Sequence, residues 1–115
     1  MSTENQIAKM FKGNDIDVEF EIIDRGGIKP DLRLADEILL SVSDTASSET
    51  NHFTIEKSAM TIYGESFNFA SAPIAATDVV DMLAGVYYLE LLRSIGGKRI
   101  TSATGSFILA DSNND

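Results

Sequence analysis

Ser43, Asp44 and His52 lie close together in the chain, and they are the residue types of a nucleophile, an orienting acid and a general base. Closeness in sequence does not build a triad. No Gly-x-Ser-x-Gly turn is present to hold a serine out for attack. His52 is the single histidine and cysteine is absent, so no His/Cys metal set and no thiol catalyst exist in this sequence. The expectation for His52 is an ordinary polar residue where a loop meets a strand.

Carboxylates offer a second candidate chemistry. Asp15, Asp17, Glu19 and Glu21 alternate along one segment. On a strand such neighbours stand about 7 Å apart on one face. That distance suggests a Ca²⁺ site or a glycosidase pair. A Ca²⁺ loop must fold back to surround its ion with oxygens, which an extended strand does not do. Glycosidase carboxylates normally face each other across a cleft. A solvated strand face is therefore expected, and its charges discourage edge-to-edge pairing. Gly96-Gly97-Lys98-Arg99 lacks the spacing of a phosphate-binding loop and is expected to be a hairpin turn. The aromatic residues Phe67, Phe69, Tyr87, Tyr88 and Phe107 could line a groove, but at strand spacing they are expected in the core.

The elements that carry these residues are strands. In residues 15–24, Ile16, Val18, Phe20 and Ile22 take one face and the acids the other, a sorting that only period two achieves. Arg25-Gly26-Gly27 supplies a turn, and Pro30 marks a loop or edge piece. Residues 37–43 alternate again, with Ile38, Leu40 and Val42 inward, before a polar loop over 43–51. Further strands are expected around Phe53 and Ile55, around Met60 and Ile62 up to Gly64, and around Phe67 and Phe69. A short helical turn is expected from an N-cap at Thr77, with Val79, Met82 and Leu83 on one face and Gly85 ending it in the left-handed conformation. Residues 86–93 read as a central strand with Tyr87, Leu89 and Leu91 on one face. Residues 98–109 read as the last strand, with a bulge or close approach at Gly105. Strands recurring every 8–12 residues or so predict an all-β sandwich or barrel.

Composition agrees with one such domain. The chain has 115 residues, 43% of them hydrophobic, enough for a core at this size. No apolar run reaches the ~20 residues of a membrane-spanning helix. The start, Met1 to Gln6, shows no basic and then apolar leader. Nine basic residues oppose eighteen acidic ones, a net charge of −9. Such a surface is repelled by nucleic acid and by anionic lipid, so neither is expected as a partner. No cofactor or metal is implied.

The ordered string of features resembles the small immunoglobulin-like domains of tailed-phage and prophage virion proteins, such as the N-terminal domains of upper baseplate proteins. The residues that carry this are Gly13-Asn14-Asp15-Ile16-Asp17-Val18-Glu19-Phe20, the pair Asp31-Leu32, and the turn Thr77-Asp78. Leu83-Ala84-Gly85-Val86-Tyr87-Tyr88-Leu89-Glu90-Leu91 and the closing Gly105-Ser106-Phe107-Ile108-Leu109 complete it. The likeness spans roughly residues 11 to 110 and is strongest over 83 to 109. It implies an immunoglobulin-like sandwich of about seven antiparallel strands with one short helical turn. It also implies a non-enzymatic virion protein, made in the bacterial host cytoplasm. Its expected partners are other virion proteins, met as a symmetric homo-oligomer or by docking on a symmetric assembly. Proteins of this kind continue into helices or domains carrying receptor binders, whereas this sequence ends at Asp115. An adaptor, fibre-base or capsid-decoration role is therefore expected.

Three parts follow: residues 1–12 as an N-terminal arm, 13–110 as the sandwich and 111–115 as a loose tail. Ile7, Met10 and Phe11 would group on one helical turn, either over the domain's own core or as an arm docking on a neighbour. With Tyr88 they are the expected protein contacts. Two other readings stand beside the virion one. A stand-alone ligand- or carbohydrate-binding module requires an aromatic or polar cluster in a concave groove. A small hydrolase requires a cleft where the acidic stripe or His52 converges with other groups.

Overall fold

The computed structural model describes residues 3–111, with side chains from Ile7 onward. Eight strands follow in chain order: β1 (Thr3–Phe11), β2 (Ile16–Glu21), β3 (Glu37–Ser43), β4 (Asn51–Glu56), β5 (Thr61–Tyr63), β6 (Phe69–Ile74), β7 (Gly85–Ile95) and β8 (Lys98–Ala110). Alternation builds most of them. In β2, Val18 and Phe20 are buried while Asp17, Glu19 and Glu21 are exposed. In β3, Ile38, Leu40 and Val42 are fully buried, and in β7 Leu89 and Leu91 are.

Two sheets face each other. The larger has the order β1-β8-β7-β3-β4 and the smaller β2-β6-β5. β1 runs parallel to β8; the other named strand pairs are antiparallel. This is an immunoglobulin-like sandwich of the variable type, in which the strand after β3 joins the larger sheet. The sequence is about one strand richer than its pattern suggests, because β1 is hidden in an apolar spacing that mimics a helix.

The chain holds this fold without the inter-sheet disulfide of antibody domains. Tyr87 stands near the start of β7, and its hydroxyl donates to the carbonyl of Leu83 just upstream. That is the tyrosine corner of immunoglobulin domains, and the position two residues on, usually a cysteine, is Leu89. Leu89 is buried in one continuous apolar core with Phe20, Ile22, Leu40 and Phe107. Burial of this core, together with an ion pair between Arg93 on β7 and Asp24 just after β2, supplies the cross-sheet attachment.

Several local expectations are corrected. Residues 3–11 are extended, not helical, and belong to the larger sheet instead of forming an arm apart from it. Ala8 and Met10 face the core, while Ile7 lies outward at 67% exposure, so the three apolar residues are split by the two-residue period. Thr77 is not an N-cap: the single 3-10 turn there runs Ala76–Val79, and Asp78 accepts from the backbone N–H of Ala75. Val79 and Met82 are buried, but Leu83 is 81% exposed, because the chain leaves the turn too soon to bring it round. Gly85 opens β7 and does not end a helix in the left-handed conformation. In the last hairpin the register shift lies between Leu91 and Leu92, where Ala103 and Thr101 are the successive partners; beside Gly105 the shift belongs to the β1–β8 ladder, between Thr3 and Gln6 opposite Ala103 and Gly105. Phe67 is not in a strand; it turns the chain with φ 54° before β6 starts. The expected loose tail at 111–115 falls, beyond Asp111, outside the described residues.

Candidate functional site

The elements bring His52 and Asp44 together but leave Ser43 apart. A register shift between Val42 and Ser43 aligns the ends of β3 and β4 so that His52 Nε2 lies 2.6 Å from Asp44 Oδ1. The His52 ring meets Tyr87 edge-on at 5.0 Å. Ser43 is buried and its hydroxyl donates to the carbonyl of Thr45. His52 therefore has an acid to orient it and a ring to rest on, while the Ser43 hydroxyl is turned to Thr45. Its role here is to close the 43–51 loop onto the sandwich.

The carboxylate stripe is as the alternation implies. Asp17, Glu19 and Glu21 are exposed along β2, and Asp15 is exposed just before it. Asp15 accepts from the backbone N–H of Ala76 at 2.7 Å, and Glu19 accepts from the Tyr63 hydroxyl. Among the described residues, no group of three or more His, Asp or Glu is placed to hold a metal ion. Three surface depressions of about 280, 200 and 260 Å³ flank this region. Their walls carry Asp15, Asp17, Glu19, Lys9, Lys12 and aliphatic side chains, with no aromatic ring. Gly96 and Gly97, both at positive φ, form the β7–β8 hairpin turn, and Lys98 and Arg99 follow it into solvent.

A different surface emerges on the outer face of the larger sheet. With Leu89 and Leu91 inward, β7 turns Val86, Tyr88, Glu90 and Leu92 outward. Register extends this row: Leu92 stands opposite Leu39, Glu90 opposite Ser41 and Thr104, Tyr88 opposite Ser106, and Val86 opposite Ile108. Glu90 is tied down by the Thr101 hydroxyl at 3.3 Å. The Tyr88 hydroxyl is held above the ordinary tyrosine range, first by burial and then by the Glu90 charge. Towards the β1 edge, Ile7 is exposed and the Lys9 ammonium sits 5.2 Å from the centre of the Phe11 ring. The centre of this face is thus aliphatic, aromatic and hydroxylic around Glu90, with Glu56 opposite Leu39 and Glu37 opposite Ser94 at its margin. The outer face of the smaller sheet carries the acidic stripe.

Of the expected contact residues, Tyr88, Ile7 and Phe11 share this face, while Met10 is completely buried and unavailable to a partner. Val86 shares the Tyr88 side of β7 by alternation, and Leu92 joins it once Leu89 and Leu91 are set inward. Leu39 and Ile108 come beside them only through the register of the neighbouring strands.

No protein-family model matches the chain. No curated protein matches its sequence. Among solved structures it is similar to part of the endo-β-1,4-mannanase from Thermotoga petrophila, with a TM-score of 0.56 and 9% identity, over 96% of this chain and 18% of that one. The chain thus spans 18% of the mannanase's length. It is also similar to the NK cell receptor NKp44, with a TM-score of 0.49 and 15% identity over 94% of this chain and 98% of that one. For murine CRIg the values are 0.43 and 13%, over 92% of each chain. Identities this low bear on fold and leave activity and partners to the chemistry of the surface. Among the described residues no helix is long and apolar enough to cross a membrane.

Proposed function

We propose that this chain is a non-enzymatic structural protein of a tailed-phage or prophage particle, acting through protein–protein contacts in the tail, baseplate, fibre base or capsid surface. The observation that carries the contact role is the apolar and hydroxylic centre of the outer face of the larger sheet, where Val86, Tyr88 and Leu92 surround Glu90. On a molecule of net charge −9, such a face is where another protein meets least electrostatic resistance. Its mix of a half-buried tyrosine, aliphatic side chains and hydroxyls matches the make-up of protein interfaces. The particle itself is suggested by the resemblance in residues 83–109.

Mass spectrometry of particles purified from a lysate tests this reading. The chain is expected in fixed stoichiometry with capsid and tail proteins, and a Leu92→Glu variant is expected to fold yet be missing from particles. A chain that stays in the soluble fraction, away from every particle band, defeats the proposal.

A further inference from the structure

The negative charge of the chain gathers at one end of the sandwich. Strand register brings four pieces together there: the turn between β1 and β2, the 44–50 loop, the segment between β6 and β7, and the end of β8. They present Asp15, Asp44, Glu49, Asp78, Asp81 and Asp111. Of the nine basic residues in the sequence, only Lys12 lies in these pieces. Its ammonium donates to the carbonyl of Met82 at 2.6 Å and, among the described residues, closes no ion pair. At the opposite end the signs roughly cancel, with Arg25, Lys29, Lys98 and Arg99 among Glu37, Glu56 and Glu65.

The same end holds the depression of about 200 Å³, lined by Lys12, Gly13, Ala76, Thr77, Val79 and Val80. An added Cβ at Gly13 meets nothing within 4 Å, so that wall is open. Val80 is 64% exposed, and Leu83 on the same segment is 81% exposed. A cavity of about 150 Å³ accommodates benzene. Sites for drug-sized molecules run from about 300 Å³ upward. The depression therefore suits one large apolar side chain of another protein and is small for a free ligand. Carboxylates ring it. Asp15 accepts from the N–H of Ala76, Asp78 accepts from that of Ala75, and Asp81 directly follows Val80. The N–H of Lys12 donates to the carbonyl of Ala110, which sets Asp111 alongside.

We propose that this end receives a basic segment of a different protein, one large apolar side chain entering the Ala76–Val79–Val80 depression and flanking lysines or arginines meeting Asp15, Asp78, Asp81 and Asp111. The apolar walls supply the anchor, in the manner of a buried interface residue with a polar rim. The carboxylates select the sign of the flanks and draw a basic segment in. A second copy does not meet this description, because it offers either the same acidic end or one whose charges roughly cancel. The surface is distinct from the Tyr88 face of the larger sheet and does not depend on the chain being a virion protein.

Titration of the whole chain with synthetic peptides, followed by amide chemical shifts, tests this. The probe is a peptide with one central leucine flanked on both sides by lysines. In about 0.1 M salt, where charges act over roughly 10 Å, shifts are expected to centre on Gly13, Ala76, Thr77 and Val80. They are expected to saturate below about 1 mM peptide. Alanine in place of the leucine is expected to weaken binding about tenfold or more. Glutamate flanks are expected to abolish it. Val80→Ser and Asp81→Lys/Asp111→Lys change exposed residues, so circular dichroism should stay unchanged while each binds the leucine peptide about tenfold more weakly. No shifts at about 1 mM peptide would overturn the proposal. So would equal affinity for the leucine and alanine peptides, shifts centred on Asp17, Glu19 and Glu21 instead, or variants that bind like the parent. A parent chain that self-associates through this end without peptide overturns it too, in favour of a second copy.

Discussion

Arg93 and Asp24, 69 positions apart, are joined by a forked ion pair, Nη2 to Oδ2 at 2.6 Å and Nη1 to Oδ1 at 3.3 Å. The same Nη1 donates to the Ser102 hydroxyl at 2.8 Å. Arg93 takes a position on β7 that the alternation reserves for a core residue, so its charge is affordable only while Asp24 is there. The pair pins the end of the small sheet to the β7–β8 hairpin. Removing one partner of a buried pair costs about 3–5 kcal/mol. Asp24 keeps 26% of its side-chain surface in water, so Asp24→Ala is expected at the lower end of that range. Urea unfolding measures it, and a loss below about 1 kcal/mol would mean that water replaces the carboxylate at little cost.

Phe107 and Tyr87 are neighbours with unequal stakes. Phe107 is fully buried, in contact with Phe53 at a centroid distance of 5.9 Å. Phe107→Ala is expected to cost about 3–5 kcal/mol. Tyr87 is half-buried, so its truncation should cost less. Tyr87→Phe isolates the tyrosine-corner hydrogen bond and is expected to lose about 0.5–1.5 kcal/mol. Equal melting of the Phe107→Ala variant and the parent would contradict the packing.

What the sequence discloses here is whatever rests on neighbours along the chain. β2 is readable from Asp17, Glu19 and Glu21 against Val18 and Phe20, and β3 and the β7–β8 hairpin follow the same logic. β1 is not readable that way. Its partner is β8, nearly a hundred residues on, and Ile7, Met10 and Phe11 also satisfy a helical spacing. Phe67 shows the opposite failure. An aromatic residue beside Phe69 looks like strand, yet it adopts a left-handed turn in which its ring lies 3.5 Å from the Arg33 guanidinium. The contact face depends on register between strands, so Tyr88 was legible as outward and Leu39 and Ile108 as its company were not.

Gly64 and Gly13 share a backbone conformation, with φ of 98° and 94°. An added Cβ meets nothing within 4 Å at Gly13, but at Gly64 it lies 2.6 Å from Cδ1 of Phe69. That ring is stacked on Tyr63 at 5.3 Å and has little freedom to move away. Both alanine variants pay for the left-handed backbone, by more than about 1 kcal/mol. Gly64→Ala is expected to lose clearly more than Gly13→Ala in parallel thermal melts. Equal losses would show that Phe69 swings aside freely.

Alkaline stability turns on Tyr63. Its hydroxyl donates to the Glu19 carboxylate, and that hydrogen bond, then burial and the Glu19 charge, raises its pKa above the ordinary value of 10.0. A raised folded pKa favours the protonated form in the fold. The stabilisation is complete below pH 10 or so and is lost as pH climbs through the folded value. Tyr88 acts in the same direction. Melting temperatures followed upward from neutral pH are expected to fall beyond about pH 10, and Tyr63→Phe to flatten that fall. Asp31 works at the other extreme: the Arg33 hydrogen bond lowers its pKa, so its contribution disappears as acid takes pH through the folded value.

The edge position of β1 predicts an alternating pattern of amide exchange. β1 has one neighbour, β8, and the N–H of Lys12 donates to the carbonyl of Ala110 at 2.9 Å. With period two, the amides of Met10 and Ala8 point to β8 as well, while those of Phe11, Lys9 and Ile7 point away from the sheet. In the isolated chain, Ala8, Met10 and Lys12 are expected to exchange slowly and Ile7, Lys9 and Phe11 fast. Side-chain substitutions should follow the same parity. Met10→Ala removes a fully buried side chain and is expected to cost about 2–5 kcal/mol. Ile7→Ala, at an exposed site, should stay within about 0.5 kcal/mol of the parent. Uniformly fast exchange across residues 7–12, together with a harmless Met10→Ala, would mean that this segment leaves the sheet in solution and awaits a partner.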